Sequence, residues 1–173
     1  MSPSLNLLPS VIQTFLPNTR CQITNEMRAF LINLLGNKPI ASTLLYSGQL
    51  HGWNKKDFHS RCDSKGRTVS LFQIEQGDCI GGYTSRCWDQ SWMHKADSSA
   101  FLFNLTSSRH FPSKATVKDI YCSSHWGPCF SGKGMSELAA LDEPFNGKDN
   151  CISHANEPGY NIPLVDGKNQ LTN

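Results

Sequence analysis

No hydrophobic stretch in this 173-residue chain reaches the roughly 18 to 20 apolar residues that a bilayer-spanning helix needs. The chain is therefore not expected to carry an integral membrane segment. Charge is also scarce. Only 17% of residues are charged, 16 basic against 14 acidic, and the formal net charge is +2. A balance this close to neutral projects no strong field, and no run of Lys or Arg tracks a phosphate backbone. Lys55-Lys56 is a mere pair that reads as a solvated helix face, so nucleic-acid binding is excluded as the leading reading. The opening stretch MSPSLNLLPSVIQTFL lacks a basic leader, and Pro9 interrupts its apolar part, so it does not read as a secretion signal. Without an export signal, seven cysteines (21, 62, 79, 87, 122, 129 and 151) read as reduced thiols in a cytoplasmic protein, several of them buried as small hydrophobes. No long glycine-rich phosphate loop is present either. Gly132-Lys133-Gly134 lacks both the length and the following Ser or Thr.

A hydrophobic content of 38% is ordinary globular material, long enough for one domain with a real core. Residues 1–22 carry Pro3, Pro9 and Pro17 without a sustained period and read as an arm that packs late or stays loose. The domain is expected over 23–173. Thr24 suits a helix N-cap, and Met27, Phe30, Leu31, Leu34 and Leu35 fall at i, i+3, i+4, i+7 and i+8, one helical face that Gly36 ends. That stripe reads as core rather than as a partner-binding helix. A strand is expected over Ser42 to Tyr46. A short helix follows through Arg61, started by Asn54 with Asp57 three residues on in the manner of a capping box.

Thr68 to Glu75 reads as a strand buried on both sides, turned at Gln76-Gly77-Asp78 into a return strand from Cys79 to Thr84. Gly81-Gly82 inside that strand would normally weaken it. It therefore implies a bulge or the close approach of another backbone. Ala100 to Leu105 and Thr116 to Cys122 read as further strands. The sequon Asn104-Leu105-Thr106 lies inside one of them, where a glycan could hardly be placed. Beyond His125, glycines, prolines and the turn signals Asn146-Gly147 and Asp166-Gly167 imply short strands in long loops. The fold class that results is α+β or mainly β: a two-sheet antiparallel sandwich flanked by a few short helices.

Candidate chemistry is thin. Cys122, His125 and Cys129 have spacing that could place soft ligands around zinc, with His59 and Cys62 as a second pair, but buried thiols and a surface histidine explain the same residues. Cys62 or Cys129 could serve as a nucleophile only if the fold supplied a base. Glu137, Asp142 and Glu143 read as a solvated acidic turn. Of four tryptophans, Trp53 and Trp88 are expected in the core rather than on a ligand platform.

The order and spacing of LLYSGQLHGW, the Cys62-bearing helix with Lys65 to Val69, IGGYTSRCW, AFLFNL and GPCFSGKGMSEL resemble the TLDc domain of the oxidation-resistance protein family, over about residues 24–173. Gly52, Cys62, Gly66, Gly81, Gly82, Tyr83, Trp88, Phe101, Gly127 and Phe130 stand at its motif positions. The resemblance implies a compact two-sheet sandwich, structural roles for these residues, no catalytic site and no cofactor. It further implies protection from oxidative damage and, in several relatives, binding to the vacuolar proton-pumping ATPase (V-ATPase). The chain departs from the pattern at Ile80, where Phe is usual, and at Phe130-Ser131-Gly132-Lys133-Gly134, where one residue of a Phe-Gly-x-Gly loop is changed. The family's closing strand, rich in Glu and Val, would begin where this sequence reaches Leu171-Thr172-Asn173, so either a truncated product or a sheet edge left open for a partner strand is expected. The leading function is a non-catalytic protein-interaction module. A cysteine-based redox sensor or zinc-supported enzyme, and a structural subunit of a larger assembly, are the alternatives.

Overall fold

Alternation of side chains along the central strands sorts the molecule into layers. The structure, a computed structural model, describes residues 12, 14–36, 41–115, 118–131, 136–140, 151–152, 160–165 and 168–171. Strands β1 (Thr68–Gln73), β2 (Cys79–Thr84), β4 (Phe101–Asn104) and β5 (Arg109–Pro112) form one antiparallel sheet in the order β1-β2-β4-β5. Strands β3 (Met93–Lys95), β6 (Ile120–Cys122), β7 (Cys129–Ser131), β8 (Ser136–Ala140) and β9 (Cys151–Ile152) form a second sheet in that order. A two-stranded ladder pairs β10 (Leu164–Val165) with β11 (Lys168–Asn169). Three short helices, α1 (Asn25–Leu34), α2 (Gly48–His51) and α3 (Lys55–Cys62), complete the described elements of this α+β architecture.

Successive residues of β4 point to opposite sides, and both sides are buried. Leu102 joins Ile80, Ile120, Phe130, Trp88, Tyr160 and Leu171 in the core between the sheets, with Phe58 and Cys62 of α3 closing one end. Phe101 and Phe103 face the other way, against α1 and Phe15. The first sheet therefore separates two apolar cores. Phe15 belongs to the region read as an arm, yet it is fully buried in the second of them.

Helix α1 forms as its local signals dictate. The Thr24 hydroxyl accepts the Met27 N–H at 3.3 Å, all five residues of the apolar stripe pack into the second core, and Gly36 follows the C-cap at φ +90°. Helix α3 also starts where expected, although Asn54 Oδ1 accepts from Lys56 N at 2.8 Å rather than from Asp57. The turn at Gly77, φ +95°, closes with Ile74 N donating to Asp78 O at 3.0 Å.

Two expectations are corrected. Ser42 to Tyr46 joins no ladder. It runs as irregular chain opposite β1, and residues 41–49 and 68–76 line the two sides of one groove of about 920 Å³. Single bonds anchor it instead: Ser42 Oγ accepts from Leu16 N at 2.6 Å, and Tyr46 Oη donates to Gly52 O at 2.8 Å. Strand β1, expected to be buried on both sides, is only half-buried because it is the edge of its sheet. Its Val69 and Leu71 touch one core and Phe72 touches the other.

The glycine pair is explained by close approach, and the β1–β2 register runs unbroken from Thr68↔Thr84 to Gln73↔Cys79. A Cβ on Gly81 would sit 2.1 Å from the Ser70 carbonyl oxygen and 2.6 Å from the Phe103 ring. One on Gly82 would sit 2.6 Å from the Phe130 ring on the opposite face. Each glycine lets a phenylalanine lie against bare backbone, so the two cores reach the same strand from both sides. Gly132 to Gly134, Asp142, Glu143, Asn146-Gly147 and Asp166-Gly167 lie outside the described residues.

Candidate functional site

The residues weighed for metal chemistry are dispersed. Cys122 and Cys129 point into the core, whereas His125 is exposed. The His125 ring packs on Trp92 at 4.8 Å between centroids, and its Nδ1 lies 3.4 Å from Lys55 Nζ. In the second pair, buried His59 places Nδ1 2.8 Å from Asp63 Oδ1 and Nε2 3.0 Å from the Trp126 carbonyl oxygen. Both ring nitrogens thus face protein oxygens rather than an open coordination site. Among the described residues no three His, Cys, Asp or Glu side chains converge in a way that could hold a metal ion.

The nucleophile candidates fare similarly. Cys62 is buried at the end of α3, and burial, reinforced by the neighbouring Asp63 carboxylate, pushes its thiol up to about 12. Cys122 is also pushed up by burial, and Cys129 is fully enclosed. None of these is an accessible thiolate.

The motif positions are distributed through the framework. Gly52 caps α2 at φ +94°, and Gly66 leads into β1 at φ +83°. Tyr83 stacks on Phe101 at 5.1 Å. Trp88 is buried with Nε1 donating to Thr68 Oγ1 at 2.8 Å, while its ring meets Phe130 edge-on at 5.6 Å. Gly127 is buried in the turn before β7.

Polar residues that the sequence did not single out form the most elaborate network. Asp97 is buried, and its two carboxylate oxygens accept from the Thr84 hydroxyl, the Ser85 N–H and hydroxyl, and the Ser99 N–H and hydroxyl. Its own N–H donates to Asp119 at 2.6 Å, Ser113 donates to the same Asp119 carboxylate, and Tyr160 Oη donates to the Asp119 carbonyl at 2.7 Å. Burial opposes ionisation of Asp97, but the Ser99 and Thr84 hydroxyls and the Ser85 donors outweigh it and hold the carboxyl below its usual range. With both of its oxygens taken by donors, Asp97 joins the ends of four strands and is unsuited to acid-base work. The only local hint was Asp97-Ser98-Ser99, a turn-type sequence.

Four large hydrophobic side chains stand exposed among the described residues. Leu50, Trp53, Trp92 and Met93 are 49%, 46%, 53% and 60% exposed. Trp88 takes the core place expected of it, but Trp53 does not. Its ring lies over Gly48, where an added Cβ would approach within 2.3 Å, and its outer face meets solvent. Trp92 is doubly unfavourable, exposed and held at φ +59°, a region costly for a bulky side chain. The contacts Lys55–His125–Trp92 join the start of α3, just after Trp53, to the edge strand β3 that begins at Met93. Exposed Trp92 and Met93 thus sit beside a basic and an imidazole side chain, a composition suited to protein docking.

No helix among the described residues is long and apolar enough to cross a membrane. Comparison with curated proteins gives no match. The family model described as "TLDc domain" matches residues 17–170. That span takes in both sheets, the glycine pair of β2 and the helices α1 to α3, and on this extent of match the chain belongs to the TLDc domain family.

Proposed function

We propose that this protein is a non-catalytic interaction module acting in the cytoplasm, and that its partner is the vacuolar proton-pumping ATPase in a setting of protection from oxidative damage. Family membership across residues 17–170 carries the reading. The exposed neighbours Trp92 and Met93 support a protein as the ligand, since aromatic and Met side chains are enriched at such interfaces. The backbone strain at Trp92 supports it further, because a strained and exposed aromatic costs the isolated fold stability that a partner would offset.

The test uses the purified chain and the purified peripheral, ATP-hydrolysing sector of the proton pump. A stoichiometric complex on size exclusion, with altered ATP hydrolysis, is expected. Trp92→Ala combined with Met93→Ser should weaken it about tenfold or more without lowering Tm. Absence of a complex with the folded protein would overturn the choice of partner. An unchanged affinity in the double variant would overturn the choice of face.

A further inference from the structure

Cys21 and Cys79 are 58 positions apart in the sequence but adjacent in the fold. Cys21 lies in the segment that leads into α1, half-buried, on the rim of the groove beside β1. Cys79 is the first residue of β2, only 1% exposed. Two independent features bring them together. Gln22 N donates to Gln73 Oε1 at 3.0 Å, and Gln73 is the register partner of Cys79 at the closed end of the β1–β2 hairpin. Both cysteines also pack in the apolar cluster between α1 and the first sheet, Cys79 within it and Cys21 against it.

The two sulfurs are not equivalent. The hydrogen bond from Cys79, with a smaller one from the Thr19 hydroxyl, outweighs burial and draws the Cys21 thiol below its usual range. Cys79, as the donor and the more enclosed of the two, is pushed well above it. One sulfur therefore favours the thiolate and borders a groove. The other stays a thiol and is reached through the first. This is the arrangement of an attacking and a resolving cysteine.

We propose that Cys21 and Cys79 form a reversible disulfide in response to a hydroperoxide. The Cys21 thiolate attacks the terminal peroxide oxygen, the O–O bond breaks, and the departing alkoxide or hydroxide takes up a proton, leaving Cys21 as a sulfenic acid. The Cys79 sulfur, losing its proton, then attacks the Cys21 sulfur. The S–S bond forms as the S–O bond breaks, and hydroxide leaves with that proton as water. The two thiols supply two electrons, and the peroxide is reduced to an alcohol, or to water, plus one further water. The product ties the segment preceding α1 covalently to β2, and a thiol reductant reverses it. This goes beyond the interaction reading and does not depend on it.

The experiment titrates the purified full chain with hydrogen peroxide, blocks residual thiols by alkylation, and maps the products of trypsin digestion by mass spectrometry. Expected is a linked pair of peptides, Cys21 to Arg28 and Thr68 to Arg86, lighter by two hydrogens than their sum and separated by dithiothreitol. Cys79→Ser should leave a sulfenic acid on Cys21 that dimedone traps. Cys21→Ser, at a half-buried position, should slow oxidation of Cys79 by about tenfold or more, whereas Cys87→Ser should leave the linked pair intact. Oxidation confined to exposed Cys87, with Cys21 and Cys79 still alkylated, would overturn the proposal. So would equal oxidation of Cys79 in the Cys21→Ser variant.

Discussion

Asp97 has the densest set of donors around any carboxylate described above, and its consequence is a particular response to acid. Its folded carboxyl is held below the usual range, so the stability it contributes is fully present above the unfolded carboxylate range and is lost as pH falls through the lower folded value. Asp89 adds to the same slope, although it is more exposed. A little burial opposes it, but Lys95 Nζ at 2.7 Å and Ser91 bring it to about 2. Thermal melts of the wild type should therefore show a Tm that holds from neutral pH to about 5 and falls steeply below about 4. Asp97→Ala, which strands the donors of Thr84, Ser85 and Ser99, should cost about 2 to 4 kcal/mol at neutral pH and flatten the acid slope. A full-sized acid transition in that variant would place the titration elsewhere. None of this was legible beforehand. A turn-type Asp97-Ser98-Ser99 announces local hydrogen bonds, but Thr84 and Ser113 arrive from other strands, and only the fold brings them.

Elements whose determinants lie within a few residues were readable. Helix α1 was, because the Thr24 cap, the stripe and Gly36 all act within their own turns. The β1–β2 hairpin was readable for the same reason, its turn residues sitting between two apolar runs. Ser42 to Tyr46 has the composition of a strand, but a groove lies between it and the β1 edge, and composition cannot close that gap. The half-burial of β1 and the outward face of Trp53 are likewise set by position in the assembled layers. Cys122, His125 and Cys129 looked convergent because spacing alone ignores which way each side chain points from the strand and the turn. The glycine pair lies between these cases. Its sequence announced close packing without naming the neighbours. Those neighbours differ, and so should the cost of filling the space. At Gly81 the obstacle includes the Ser70 backbone, fixed in the ladder, whereas at Gly82 it is the Phe130 ring. Gly81→Ala should therefore destabilise more than Gly82→Ala, with both in the range of about 1 to 3 kcal/mol or beyond. Denaturant melts of the two variants give the order directly, and a larger loss in Gly82→Ala would mean that the ring yields less readily than the ladder.

Taken as a whole, the molecule has two apolar cores and one sheet common to both. Because Leu102 faces one core and its neighbours Phe101 and Phe103 the other, neither core can be opened without disturbing the strand that serves the second. Local opening should be confined to the outer layers, and β4 should open only with the entire domain. Native-state hydrogen exchange tests this. Among the described residues the slowest amides are expected in β2 and β4, exchanging at one shared rate whichever core they face. Two separate rates, one for each core, would mean that the layers come apart independently. A shared wall also works in the opposite direction. A partner or a covalent tether that tightens the helical side lowers the opening frequency on the side it never touches, so the interior between the sheets acts as a timekeeper for events at the surface of α1.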